Sequence, residues 1–498
     1  MNVIVDAVAT HGRARRGALA MVDLASGRHW EWRALDQAIN RVAHWLIGEL
    51  GPASGARVAT LARNADWMVV LQLACVRAGA IFVPFNWRLA ETELRALAAD
   101  AGLTLLFHDA EFALDLAPRC LLLDDLAALT VGQPDAPLPN DARQPWDSPS
   151  TLLYTSGTSG RPKGVMISEA NAYFGCSNYI NGNRVSCDSV FLCDMPLFHT
   201  AGLFAATRSP IQAGATVLIS KGFDPAVTLA RLADPALGIT HYFSVPQMAQ
   251  MLWNQPGFDP AALSRLQVYA TGGAPNPKVQ IERFVTAGIP MSDGFGMSET
   301  CSNFAMPVEN RALMIDKAGS IGMPLLMLEV RIVDDNGVDV ANGETGELWL
   351  RGPSITRGYW NQPELTAQAF HDGWFKTGDA ARRDDDGYYY LVDRKKDMFI
   401  SGGENVYPAE IEAVITELAE VAEVAVIGVP DERWGEVGHA VIIPVGAVAV
   451  DPAAVIAHCR ERLASFKVPK AVVIVTDIPR TASGKVQKHI LRETLSAK

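Results

Sequence analysis

Apolar residues recur at helical spacing through LDQAINRVAHWLIGEL (residues 35–50) and again through DWMVVLQLACVRAGA (66–80). The short run ARVATLA (56–62) between them reads as a strand. Alternation of this kind predicts α/β layers built on largely parallel sheets. Between about 325 and 360 the pattern changes to MLEVRIVD, the turn signals DNG and ANGETG, and ELWLRG, a β-rich stretch with hairpin character. A second change falls in DDDGYYYLVDRKKDMFISGGENVYPAEIEAVI, where a strand ends in a charge cluster and, after a Gly-rich turn, a helix opens near Pro408, a residue suited to a first helical turn. The last hundred residues read helix, strand (EVAVIGV), strand (HAVIIPV), helix, strand (AVVIVTDIP), helix. The predicted fold class is therefore α/β: a large N-terminal region of α/β sheet layers with a β-rich subdomain, residues 1–394, and a small α+β C-terminal domain, residues 395–498.

Length and composition fit that division. A chain of 498 residues exceeds one ordinary core, and 49% apolar with 20% charged residues is the balance of a globular protein. The formal charge of −12 argues against a general nucleic-acid binder, whose phosphate contacts need a basic face. A polyanionic ligand must then meet local cations, and residues 461–498 hold eight Lys/Arg against three Asp/Glu. The opening MNVIVDAVATHGRARRG reverses the order of a secretory signal, and no run approaches the roughly 18 to 20 apolar residues of a membrane span, so a cytoplasmic protein is expected. Seven scattered cysteines without a CxxC pair suggest neither a disulfide framework nor a zinc site, and buried free thiols are expected.

The chemistry concentrates in a few polar stretches. YTSGTSGRPKG (154–164) follows a strand and offers backbone N–H groups, hydroxyls and Lys163 to phosphate oxygens. It is not a Walker A loop, since the fifth position after Gly157 is Pro162 and Lys163 is followed by Gly164; taken alone, it reads first as a plain surface turn. TGGAPN (271–276) lets a flat ring approach the backbone. DGFGMSET (293–300) offers Phe295 for stacking, Ser298 for a phosphate and Glu299 for Mg²⁺, against the plain alternatives of a core phenylalanine and a solvated acid. Asp379, closing WFKTGD, suits a pair of ribose hydroxyls or simply caps a turn, and Lys485 in PRTASGK is by itself a solvated charge.

Taken together, YTSGTSGRPKG, TGGAP, DGFGMSET, WFKTGD, DRKKDMFISGGENVYPAEIE and PRTASGK, in this order and at these separations, resemble the core motifs of the adenylate-forming superfamily: acyl- and aryl-CoA synthetases, peptide-synthetase adenylation domains and firefly luciferases. The likeness runs from about residue 30 to 493, and KDMFISGGENVYPAEIE is similar to bacterial CoA ligases for fatty and aromatic acids. It implies a ligase that uses ATP, Mg²⁺ and coenzyme A to convert a small carboxylic acid first to an acyl-adenylate and then to a thioester. It further implies that Thr155, Ser156, Gly157, Thr158, Ser159, Gly160 and Lys163 hold the β- and γ-phosphates. Gly272, Gly273, Ala274 and Pro275, with Asp293, Gly294, Phe295, Gly296 and Met297, would form the adenine side; Ser298 would contact the α-phosphate, Glu299 bind Mg²⁺, and Asp379 with Arg394 hold the ribose. Lys485 would bridge the carboxylate and the α-phosphate, carried on a mobile C-terminal domain hinged at Lys396, and Gly402 and Gly403 would line the pantetheine channel. Many CoA ligases of the family carry Asp at the hinge; Lys occurs in the luciferase and plant aryl-CoA ligase branches.

By the same resemblance His199 gates the thiol channel beside the substrate carboxylate, whereas an isolated His among apolar residues is ordinarily a core histidine. Thr200 and Ala201 stand where amino-acid-activating relatives place an Asp, so no ammonium is expected on the substrate. The implied acyl pocket is His199, Thr200, Leu203, Ala270, Met297, Ser302 and Asn303, mostly apolar with a polar edge, which suits an aliphatic or phenylpropanoid-type acid better than a short dicarboxylic one. Three rivals stay open: a ligase that loads a carrier protein, disfavoured by the absence of an appended carrier domain; a nucleotide sensor without catalysis, disfavoured by Lys485, Glu299 and Asp379; and a luciferase-like oxidation. Monomer and homodimer are both compatible with the sequence.

Overall fold

The computed structural model describes residues 6–155, 163–274, 276–394, 397–401, 404–431, 434–480 and 486–496. The predicted helices and strands form where the pattern puts them: helices Trp32–Leu50 and Asp66–Ala78 flank strand Arg57–Leu61. Two sheets dominate the N-terminal region. The six-stranded one runs, in spatial order, Cys120–Leu122, Leu103–His108, Arg57–Leu61, Ile81–Pro84, Pro149–Thr155 and Lys163–Ser168, parallel throughout except for its last pair. The nine-stranded one runs Met323–Pro324, Cys301–Ala305, Met291–Met297, Val268–Thr271, His241–Ser244, Val190–Cys193, Thr216–Ile219, Leu19–Asp23 and His29–Glu31, parallel in the middle and antiparallel at both margins.

The helices Trp32–Leu50, Asp66–Ala78 and Glu169–Gly182 lie between these sheets, because one apolar cluster joins Trp32, Leu35, Met68, Leu71 and Ala172 to Phe82 and Leu153 of one sheet and to Val217 and Ile219 of the other. Separate clusters cover the outer faces, with Leu94 and Leu97 against the six-stranded sheet and Leu229, Leu252 and Phe284 against the nine-stranded one. This is the layered burial that parallel strands require. A buried ion cluster pins the first helix to the middle layer: Arg77 donates to Asp6 (2.9 Å), Asp36 (2.6 Å) and Asn40 (2.6 Å).

The β-rich stretch forms an antiparallel sheet of Glu329–Val333, Gly346–Arg351, Trp374–Arg383, Phe370–His371 and Tyr389–Arg394 around Leu348, Leu350 and Phe375. Strand Phe399–Ser401 belongs to a different sheet, with Glu404–Val406, Gly435–Pro444, Val421–Asp431 and Ala471–Ile474. Helices Pro408–Ile415 and Pro452–Arg462 pack on one face of it and Lys488–Ser496 on the other. Among the described residues no helix is long and apolar enough to cross a membrane. Five of the seven cysteines are buried free thiols as expected, but Cys187 is exposed and Cys120 half-buried.

Candidate active site

At the margin of the six-stranded sheet, strands Pro149–Thr155 and Lys163–Ser168 form a hairpin in which Thr155 faces Lys163. The loop they close, with Ser156, Gly157, Thr158, Ser159 and Gly160, lies outside the described residues, as do Pro275, Lys396, Gly402, Gly403 and Lys485. The Lys163 ammonium sits over the Tyr359 ring, 5.3 Å from its centroid, within cation–π range. The Tyr359 hydroxyl donates to Glu299 Oε1 at 3.0 Å, and the Thr356 amide donates to the Glu299 carbonyl at 2.7 Å. Three segments far apart in sequence thus meet at one aromatic ring.

On the other side, parallel strands of the nine-stranded sheet bring polar residues to their carboxyl ends, the edge at which open α/β sheets present ligand sites. Ser244, Thr271 and Asp293 stand in neighbouring registers there, all buried. Thr271 donates to Asp293 (2.8 Å), Asn276 to Thr271 (3.0 Å), and Gln280 to Asn276 (2.9 Å), a chain that ties the segment carrying Gly272, Gly273 and Ala274 to the sheet. Burial pushes the Asp293 carboxyl up to about 7 against the hydrogen bonds from Thr271 and the Gly294 amide. Gly272 is small for the sake of its neighbour: a Cβ there would come within 3.0 Å of the Gly294 carbonyl and 3.5 Å of Phe243. Phe295, Gly296 and Met297 are strand residues paired with Phe304, Ser302 and Cys301. Phe295 is half-buried and packs edge-on against Phe304 at 5.9 Å, and Met297 packs against the core of the β-rich sheet.

The residues implied for the acyl pocket adjoin a π-helix, Ala201–Arg208, which begins two residues after His199. Such wide turns recur at functional sites. Gly202 makes this one possible, because a Cβ there would lie 2.2 Å from the Pro196 carbonyl oxygen. His199 is half-buried with its ring tilted on Phe198, and Thr200 donates to Ser298 at 3.2 Å, joining the implied acyl and phosphate residues. Ala270 packs with Val268, Val308 and Phe243. Two other implied pocket residues point into packing: Leu203 is part of the core between the sheets, and Asn303 is fully buried with its amide nitrogen on Ser354 Oγ at 3.3 Å. Ser302 is half-buried, its carbonyl accepting from Asn178 at 3.2 Å. Asp379 is buried in strand Trp374–Arg383, its amide donating to Thr377 at 3.1 Å, and it faces Arg394 across the ladder.

Among the described residues no group of three or more His, Cys, Asp or Glu side chains could cage a metal. A single carboxylate is what Mg²⁺ needs when phosphate oxygens and water complete its shell. Glu299 fits that demand, with one oxygen steadied by Tyr359 and the other without a partner among the described residues. Tyr359, Gln280 and Phe243, which stand against or support the candidate residues, are not singled out from the sequence, and Asn276 appears there only as the end of TGGAPN. The first follows the turn glycine Gly358 in RGYW, a signal too short to read without the fold.

The sequence pattern of the AMP-binding enzyme family matches residues 8–360, and that of the AMP-binding enzyme C-terminal domain matches residues 410–485. A feruloyl-CoA synthase of Amycolatopsis sp is 38% identical over 96% of this chain and 97% of its own length. An indoleacetate–CoA ligase of Aromatoleum aromaticum is 37% identical over 90% of each chain. The ATP-bound crystal structure of MatB from Rhodopseudomonas palustris superposes with a TM-score of 0.88 at 32% identity, covering 96% of both chains. With the Thr155–Lys163 hairpin, the polar strand ends and the Tyr359–Glu299 contact all set in this frame, the chain belongs to the AMP-binding, adenylate-forming enzyme family.

Proposed function

We propose that this AMP-forming acid–CoA ligase takes a ring-bearing carboxylic acid of the phenylpropanoid or arylacetate type. The acid's carboxylate oxygen bonds to the α-phosphorus of ATP as pyrophosphate leaves, and the coenzyme A thiol then attacks the acyl carbon as AMP leaves. The first step joins an anion to a polyanion, so neutralisation and alignment carry most of the catalysis. Thr155 and Lys163, with Ser156 through Gly160, hold the terminal phosphates; Gly272 to Pro275, Asp293 and Phe295 enclose adenine; Asp379 and Arg394 fix the ribose. Glu299 would hold Mg²⁺, which offsets charge on the phosphate oxygens when bound. Thr200 orients the Ser298 hydroxyl for the α-phosphate. Lys485 bridges carboxylate and α-phosphate, and a swing at Lys396 of the domain 395–498 against 1–394 then brings Gly402 and Gly403 to the thiol as Lys485 withdraws. A cytoplasmic location, where ATP and coenzyme A are at hand, is part of this reading.

The observation that carries the substrate class is the half-buried Phe243 ring beside Ala270, backed by the core rings of Tyr179 and Phe191. Phe243 packs against Ala270 and lies 6.4 Å from Tyr179, itself 6.4 Å from Phe191, and two relatives above 35% identity are named for ring-bearing acids. AMP release with coenzyme A is the test, across ferulate, coumarate, benzoate, indoleacetate and short, medium and long fatty acids. Ring-bearing acids lead if the reading holds, and a fatty acid in first place overturns it. Release only with a holo-carrier protein would make the acceptor wrong. Lys485→Ala loses pyrophosphate exchange while a supplied acyl-adenylate still becomes thioester; loss of both half-reactions removes the bridging role.

A further inference from the structure

Lys163 and Glu299 carry opposite charges, both belong to the phosphate end of the proposed site, and both touch Tyr359, yet among the described residues they form no ion pair with each other. The phenol stands in the way. Its ring face receives the ammonium and its hydroxyl holds the carboxylate, so each charge is met by a neutral group in place of the other. The ring is itself held hard. Tyr359 bridges to Val165 of the phosphate hairpin, its amide donates to Thr366 Oγ1 at 2.9 Å, and the next amide, of Trp360, donates to the Gly164 carbonyl at 2.7 Å. The Thr356 amide fixes the Glu299 backbone from the same loop.

We propose that Tyr359 is a positioning residue that sets Glu299 for the metal and Lys163 for the phosphates while keeping the two from neutralising one another in the free enzyme. This rests on the assignment of Glu299 and Lys163 to Mg²⁺ and ATP phosphates. An ion pair between them would have to be broken before MgATP could bind, and that cost would appear as lost affinity. A neutral hydroxyl hydrogen-bonded to the carboxylate leaves its charge intact and its second oxygen open, and a ring face steers the ammonium without satisfying its hydrogen-bond donors.

Calorimetric titration of ATP into the whole enzyme, with and without Mg²⁺, separates the two roles. Tyr359→Phe keeps the ring and loses the hydroxyl: the Mg²⁺ concentration for half-maximal enhancement of ATP binding rises about ten- to hundredfold, the worth of one hydrogen bond to a charged group, and metal-free ATP binding stays unchanged. Tyr359→Leu loses both contacts, so metal-free ATP binding weakens as well and is partly restored by adding Glu299→Gln, since the neutral amide can no longer capture Lys163. The cycle of Tyr359→Phe with Glu299→Gln keeps the proposal testable if the leucine variant fails to fold: on a Glu299→Gln background the phenylalanine change has no further effect on Mg²⁺ dependence. If Glu299→Gln alone shifts the Mg²⁺ requirement and Tyr359→Phe does not, the positioning role falls and the metal assignment stands. If Glu299→Gln shifts nothing, the metal assignment falls, and the positioning role with it.

Discussion

The two large sheets share a middle layer of helices but end differently. In the six-stranded sheet the interior strands bury mostly apolar residues, Val58, Ala59, Phe82, Val83, Leu105 and Leu106, with Thr60 and His108 among the buried polar ones near their ends, and the proposed phosphate residues Thr155 and Lys163 stand on an antiparallel hairpin at the margin. In the nine-stranded sheet, four neighbouring parallel strands finish in, or run directly into, the buried polar residues Asp194, Ser220, Ser244 and Thr271, and a fifth holds buried Asp293 where its parallel pairing ends. A marginal hairpin can carry a phosphate loop without burying a polar group, whereas a row of polar strand ends must be paid for in desolvation. The first sheet adds chemistry at its edge, and the second builds chemistry into its core.

The largest test of that difference is catalytic. Glu299→Gln, at the margin extending the nine-stranded sheet, should lower the rate of pyrophosphate exchange by about 10²- to 10³-fold, the usual cost of losing a positioned transition-state charge. Lys163→Met on the marginal hairpin should cost about tenfold, because the loop's backbone donors remain. Equal losses would erase the distinction. Gly202→Ala comes next: its Cβ meets the Pro196 carbonyl at 2.2 Å, in the connection leaving strand Val190–Cys193, so thermal unfolding should show about 2–3 kcal/mol of lost stability. An unchanged midpoint would mean that the π-helix can shift freely.

The smallest effects are in pH. Asp293 is raised by burial from 3.8 to about 7, so the folded chain keeps a proton that the unfolded chain has lost, and this residue makes stability fall as pH rises from about 4 to about 7. His241, in the same sheet, is lowered by burial from 6.5 to about 4 despite its bond to the Asn183 carbonyl; its contribution is complete above pH 6.5 and is lost as pH falls toward 4. The two slopes oppose one another over nearly the same window. His241→Gln should therefore leave stability falling with rising pH, and Asp293→Asn should leave it rising, across the window in denaturant titrations. If both variants track the parent protein, the polar strand ends are not the desolvated groups described above.

Local pattern made the architecture legible. Apolar spacing placed the helices now seen as Trp32–Leu50 and Asp66–Ala78, and Pro408 opens its helix as a first-turn proline should. The family motifs marked out the segments proposed for adenine and phosphate. What the chain pattern could not show were the joins between them, because they connect residues distant in sequence: Thr200 to Ser298, Tyr359 to Glu299, Gly272 to Gly294. Nor does residue type report how wide a helical turn will be, so the π-helix left no trace in the spacing. Leu203 and Asn303 show the same limit from the other side. Their neighbours in sequence meet the site residues, but the wide helix puts Leu203 into the middle layer and strand alternation turns Asn303 toward Ser354.

That wide helix is tethered at its far end, where Arg208 donates to Glu169 at 2.8 Å. A π-turn holds one residue more than an α-turn, and each residue of an α-helix accounts for about 100° of rotation. Deleting one residue between Gly202 and Thr207 would rewind the segment to ordinary pitch and swing Thr200 and His199 around a fixed anchor. A one-residue insertion or deletion there would shift the proposed acyl residues Thr200 and His199 together, a coarser change than any side-chain exchange.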